Sequence, residues 1–233
     1  MSTKFQRKSN DEYRPLSISY DGLNRVDGSA RFGFGQTVSL ASVSGPIEVR
    51  LAAEQPSQAT FEVLVRPLSN VPATDSKAQA AIIRAALTPS LILTKNPRTL
   101  VQLVVQNLSS TSTDGQIAAM INASTLALLN AGSVPMKGAV CAICVGRTST
   151  GTSLVDPSGE EAKDVVEGGC FAFLFAGEQQ ATCVWTNWRS TGVAGFKQEH
   201  MEAAKSVAAE AATAVYREVR ASLGERAEDD MEL

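Results

Sequence analysis

Residues 115–132 read GQIAAMINASTLALLNAG, a stretch with almost no charge that repeats with the period of a helix. Ile117, Met120, Ile121 and Leu128 share a broad apolar face, and Gly132 is placed to end the helix. A helix with so little polar surface has to be covered on several sides, so the pattern predicts an element sandwiched between layers. The rest of the chain must supply those layers.

The flanking segments read mainly as strands. RVDGSARFGF and TVSLASVSG form a hairpin around Gly35-Gln36, and ATFEVLVRP sets Phe61, Val63 and Val65 against Thr60, Glu62 and Leu64, a half-buried strand stopped by Pro67. Asp75 or Ser76 is placed to cap a helix through SKAQAAIIRAALT, and TLVQLVVQNL returns the chain to an extended form. AVCAICVGR, GCFAFLFAG and ATCVWTNW follow as a second sheet. A long helix then runs from about Gln198 to Leu223 with Met201, Val207, Ala211, Val215 and Val219 on one face. The order predicts a mixed α/β or α+β layered fold, a single domain over residues 13–224. A disordered polar tail is expected at 1–12 and an acidic, mobile tail at 225–233.

With 233 residues, 44% of them apolar, the chain can bury one substantial core. A net charge of -3 gives no global field to attract nucleic acid, so any such contact has to come from a local patch or from partner subunits. No stretch of about eighteen uninterrupted apolar residues could span a bilayer, and the polar start lacks a signal-length apolar run. An intracellular, soluble protein is expected. Cys141, Cys144, Cys170 and Cys183 fall in strand-like segments, which suits reduced, core-packed thiols.

Four features carry chemical interest. TDGQIAAMINA, residues 113–123, places a glycine where an extended run meets the apolar helix, a junction whose free amides and dipole favour an anion, yet no arginine or lysine follows. His200 is the only histidine, with no second one to complete a zinc site, and reads as a surface residue. Cys141 and Cys144 form a C-x-x-C whose offset of three on a strand sends the sulfurs to opposite faces. DPSGEEAKD, residues 156–164, is either a magnesium-binding acidic cluster or a solvated turn with acids in its first turn, the second reading being preferred. GFGQT lies between two strands, so its glycines read as a tight turn and not a nucleotide loop.

RVDGSARFGFGQTVSLASVSGP, NPRT, INASTLALLNAG and LVDPSGEEAK resemble the ribonuclease PH family in order and spacing, from about Arg25 to the last helix. VDGSARF, VSGPIEV and VRPLSNV are most similar to small ring subunits of the eukaryotic RNA exosome, in particular the catalytically silent one that resembles the archaeal active chain. The resemblance implies a ribonuclease PH-like (ribosomal S5 domain 2-like) layered fold with two mixed sheets and packed helices. It further implies a non-enzymatic role without cofactor or metal, in a hetero-oligomeric ring that handles RNA in 3′–5′ processing and degradation. Partners implied are other RNase PH-like ring subunits, S1/KH cap subunits, an associated hydrolytic ribonuclease and RNA in the central channel, with no membrane, in nucleus, nucleolus and cytoplasm.

Family enzymes let phosphate attack the terminal phosphodiester, which requires cationic and backbone donors around two anions and carboxylates at the leaving oxygen. By resemblance, the arginine of the family's G-T-R turn falls on Gln116 and an upstream arginine on Ala80, while the two catalytic aspartates fall on Ala162 and Gly168. A shifted alignment would recruit Asp164 or Glu167. Arg66 and Lys77, near the loop after ATFEVLVRP, are expected to face the RNA channel or to be ordinary surface charges. The alternative function is an active phosphorolytic or metal-dependent nuclease.

Overall fold

The structure, a computed structural model, describes residues 7, 9–20, 22–69, 71–109, 114–177, 181–190, 195 and 197–229. Residues 110–113 of the Ser/Thr-rich loop, Thr113 of TDGQ among them, most of the expected first tail and residues 230–233 of the last lie outside the described residues.

Among the described residues, ten strands form two sheets, and three long helices pack with them. The first sheet contains β1 (Leu16–Ser19), β2 (Gly28–Phe34), β3 (Thr37–Glu48), β4 (Thr60–Arg66) and β5 (Thr99–Asn107), in the order β1-β2-β3-β5-β4. The β2–β3 hairpin turns at Gly35-Gln36 as expected, with Gly35 at a φ of 56°, a conformation that costs glycine nothing. β4 buries Phe61, Val63 and Val65 and exposes Glu62, Leu64 and Arg66, the predicted alternation. β4 and β5 run parallel, and a parallel pair needs a crossover, here α1 (Thr74–Leu87). That helix begins one residue before the expected cap. Its N-cap is Ala73, which offers no side-chain acceptor, so Asp75 lies inside the first turn, where its charge favours the dipole.

The second sheet contains β6 (Ala139–Thr148), β7 (Ser153–Val155), β8 (Val165–Phe175), β9 (Ala181–Thr186) and β10 (Arg189–Ser190). β8 pairs with β6 on one side and with β9 and β10 along the other. Two mixed sheets were expected; the first is mixed, but the ladders of the second are all antiparallel, because short hairpin connections link β6 to β7 and β8 to β9.

Between the sheets lies α2 (Asp114–Ala131), the helix expected to be almost uncharged, whose one charged residue is Asp114. It packs on β2 and β3 with one side and on β6 with another, burying Met120, Ile121, Leu126 and Leu128 completely. Each such side chain contributes roughly 1.5–3 kcal/mol relative to exposure. The buried polar side chains of Asn122, Ser124 and Thr125 meet backbone. Asn122 donates from Nδ2 to the Ala142 carbonyl at 2.9 Å and accepts the Ala142 amide at 2.7 Å, and Thr125 donates to the Val140 carbonyl at 2.7 Å. These groups take up the margin of β6 that no strand covers, so α2 completes the sheet as a neighbouring strand would.

α3 (Gln198–Asp229) covers the opposite side of the second sheet, where Tyr216 stacks on Phe175 with centroids 4.6 Å apart. Its seam differs from the expected one. Ala211, Val215 and Val219 are buried as expected, but Met201 and Val207 are only partly so, and Ala204, Ala208 and Ala212, spaced by four, make the tight line. Small side chains let a helix approach a sheet closely. The helix also continues to Asp229, so residues 225–229 prolong it and do not form the expected separate tail. At the other end, Arg7, which falls in the stretch expected to be disordered, is tied down: it donates to the carbonyls of Glu12 and Val155 at 2.6 and 2.8 Å and to both carboxylate oxygens of Glu161.

Candidate functional site

A cavity of about 250 Å³ opens at the N-terminus of α2, where the sequence places its anion-favouring junction. Asp114 and Gly115 contribute the helix end, Cys144 and Gly146 the end of β6, Gly168 and Gly169 the start of β8, with Ala162 and Arg189 completing the wall. Three elements distant in sequence thus converge. The glycines are steric: a Cβ on Gly169 would lie 2.7 Å from the Trp188 Cα, and one on Gly146 2.7 Å from Val165 Cγ2.

Arg189 is the one cation on this wall among the described residues, and it is already paired. It donates from Nη1 and Nη2 to Asp114 Oδ1 and Oδ2 at 2.9 and 2.8 Å, and Asn187 Nδ2 adds a bond to Oδ1 at 3.1 Å. The helix N-terminus therefore already faces an anion, the protein's own carboxylate. The first-turn acid was visible in TDGQ; its partner, 75 residues on, had no local signal.

Ala162 and Gly168, the positions assigned by resemblance to the catalytic aspartates, both line the cavity, and neither has a side chain able to bind a metal or move a proton. Gln116 does not line it: its side chain is 2% exposed and its Nε2 meets no acceptor among the described residues. Ala80 lies elsewhere, in a groove of about 760 Å³ between α1 and β4, beside Lys77, Arg50, Arg84, Glu48 and Glu62. The two arginine positions thus do not converge on one cavity. Lys77 and Arg66 are both exposed, but only Lys77 lines that groove.

The solvated reading of DPSGEEAKD fails for two of its acids. Asp156 is fully buried, bound by Arg14 from Nε and Nη2 at 2.7 Å each, while Arg14 Nη1 donates to Thr37 Oγ1 at 2.9 Å. Glu161 accepts Arg7 at 2.9 and 3.0 Å, and that hydrogen-bonded guanidinium holds its carboxyl down at about 2. Each acid has its own arginine, so they form no shared cation site. Asp164 and Glu167, the alternatives of a shifted alignment, do not line the cavity either. Asp164 is exposed, and Glu167 is buried against His200 Nδ1 at 2.8 Å and Arg147 at 3.6 Å. His200 is consequently not the free surface residue expected; its side chain is 24% exposed and fastens the start of α3 to β8.

Two stacked sheets sharing a buried helix, with a cleft at that helix's N-terminus, define a layered α/β class. The profile of the RNase PH family, described as "3′ exoribonuclease family, domain 1", matches residues 12–133, and the chain belongs to this family. Exosome complex component rrp46 of Schizosaccharomyces pombe is 40% identical over 121 residues, covering 52% of this chain and 53% of that one. Exosome complex component Rrp41 of the archaeon Thermococcus gammatolerans is 30% identical over 224 residues, 92% of this chain and 86% of the other. Among solved structures, rice (Oryza sativa) Rrp46 superposes with a TM-score of 0.81 at 23% identity, over 93% of this chain and 98% of that one, a likeness of fold. The chain spans from about half to two thirds of the length of the eukaryotic relatives it matches.

Proposed function

We propose that this chain is a catalytically silent RNase PH-like subunit of an exosome ring, contributing shape and RNA path to 3′–5′ RNA processing and degradation. The observation that carries the proposal is the Asp114–Arg189 pair at the α2 N-terminus, beside Ala162 and Gly168. A phosphate entering this cavity meets a carboxylate in the place where it needs a cation. That carboxylate already holds Arg189, so the pair leaves no free positive charge to offset the anion's own. With Asp114 engaged by Arg189, and no carboxylate at Ala162 or Gly168, the leaving oxygen gains no metal support.

The similarity to exosome components named Rrp46 and Rrp41 supports the ring setting. Partners in this reading are related ring subunits, S1/KH cap subunits and a hydrolytic ribonuclease, in nucleus, nucleolus and cytoplasm. Arg66 and Lys77 would contact the RNA backbone, where their exposure leaves them available. The test is an incubation of purified chain with labelled single-stranded RNA, magnesium and phosphate. No nucleoside diphosphate is expected from the wild type or from Q116R, and tagged chain should co-purify with RNase PH-like ring subunits. A phosphate-dependent ladder from the wild type would establish the active-nuclease alternative and end this reading.

A further inference from the structure

Cys144 and Cys170 are direct partners in the β6–β8 ladder, so their side chains leave the sheet on the same face. The hydrogen bonding around them fixes the kind of pair. The Cys170 amide donates to Asn187 Oδ1 at 2.6 Å and its carbonyl accepts the Asn187 amide at 3.2 Å, while the Cys144 carbonyl accepts the Asp156 amide at 2.8 Å. Backbone groups of both residues point away from each other, which makes this a non-hydrogen-bonded antiparallel pair. Such pairs have Cα atoms roughly 4.5 Å apart, within the roughly 4.4–6.8 Å span that a disulfide bridges.

The other two cysteines lack this geometry. Cys141 and Cys183 stand on either side of Phe173, in register with it from β6 and β9, two strand spacings or roughly 9–10 Å apart. Cys141 leaves the opposite face of β6 from Cys144. Access is equally selective: Cys144 lines the cavity at the α2 N-terminus, whereas Cys170 is fully enclosed behind it.

We propose that Cys144 and Cys170 form an oxidation site, in which hydrogen peroxide entering the cavity converts the two thiols to a cross-strand disulfide. The Cys144 sulfur attacks one peroxide oxygen; an S–O bond forms, the O–O bond breaks, and the distal oxygen leaves as water with the thiol proton. The Cys170 sulfur then attacks the Cys144 sulfur, forming S–S and expelling the hydroxyl as a second water with its own proton. Two thiols and one peroxide give one disulfide and two waters, the peroxide taking both electrons. Burial, reinforced by the Asp114 charge, holds both thiols well above the ordinary range. The reaction is therefore slow at neutral pH and accelerates as pH rises.

The experiment treats a full-length C141A/C183S chain, which retains only this pair, with graded hydrogen peroxide, followed by alkylation and intact-mass measurement. Expected is loss of both alkylation sites and a mass two hydrogens lighter, with C170S halting at a Cys144 sulfenic acid that dimedone captures. Both thiols still alkylating at a dose that fully oxidises Cys183 in the wild type overturns the proposal. Should the double variant lose its circular-dichroism signature, non-reducing peptide fragmentation of oxidised wild type replaces it. A Cys144–Cys170 link supports the site, and any other link, or none, rejects it.

Discussion

Replacing Asp156 by asparagine tests whether the acidic segment is structural or catalytic. The carboxylate is fully buried and receives two charge-assisted bonds at 2.7 Å from Arg14 plus the Arg14 amide at 3.1 Å. Asparagine keeps the shape and tolerates the local φ of 47°, so the backbone adds little to the effect. What remains is a buried guanidinium without its counter-charge, a loss of about 3–5 kcal/mol. In a domain of this size each kcal/mol moves the melting temperature by about 2–4 °C, so D156N should melt roughly 6–20 °C below wild type. Calorimetry on wild type, D156N, R14M and the double variant should show the double less destabilised than the sum of the singles. An acid serving a metal behaves differently, since its loss spares the apo fold and removes a magnesium response. D156N melting within about 2 °C of wild type, or a magnesium-dependent stabilisation that D156N abolishes, refutes the argument.

Glu161 supplies a pH dependence of known sign. Its carboxyl is depressed from 4.5 to about 2 by Arg7, so the stabilisation is complete above the unfolded value and disappears as pH falls through the folded one. The melting gap between wild type and E161Q, worth about 2 kcal/mol after allowance for partial exposure, should narrow below about pH 4.5 and close near pH 2. D114N frees Arg189 and removes the carboxylate from the cavity, so phosphate should raise the melting temperature of D114N at concentrations at least tenfold below those that affect wild type. N122A strips two bonds from Ala142 and should cost about 2–4 kcal/mol by denaturant titration. G28A would drive a Cβ into the Ala131 amide nitrogen, and the helix shift needed to admit it should cost about 2 kcal/mol or more in the same assay.

What the sequence reveals here is what local chemistry decides. The two-residue period of β4, the Gly35 turn and the almost uncharged α2 each follow from neighbouring residues, and each was legible. Pairings across the chain leave no such trace. Nothing in TLVQLVVQNL says that β5 inserts between β3 and β4, and nothing in DPSGEEAKD announces that Asp156 belongs to Arg14, 142 residues earlier. The first half of the α3 seam, at Met201 and Val207, was misread because bulk was weighed above closeness of approach, which alanines serve better. At the cavity, Ala162 and Gly168 were placed together on the strength of family resemblance, while Asp114 and Arg189, which set its charge, became visible only once the chain was folded.

Asn122 and Thr125 fasten α2 to the bare margin of β6, and this has a consequence for how such a fold ages. Because the same helix is the keel of both halves, its front end cannot drift relative to the strand tips opposite it without tearing loose buried amides and carbonyls. Substitution can erase the reactive groups at that mouth one by one while the mouth itself stays open, held by interactions that have nothing to do with chemistry there.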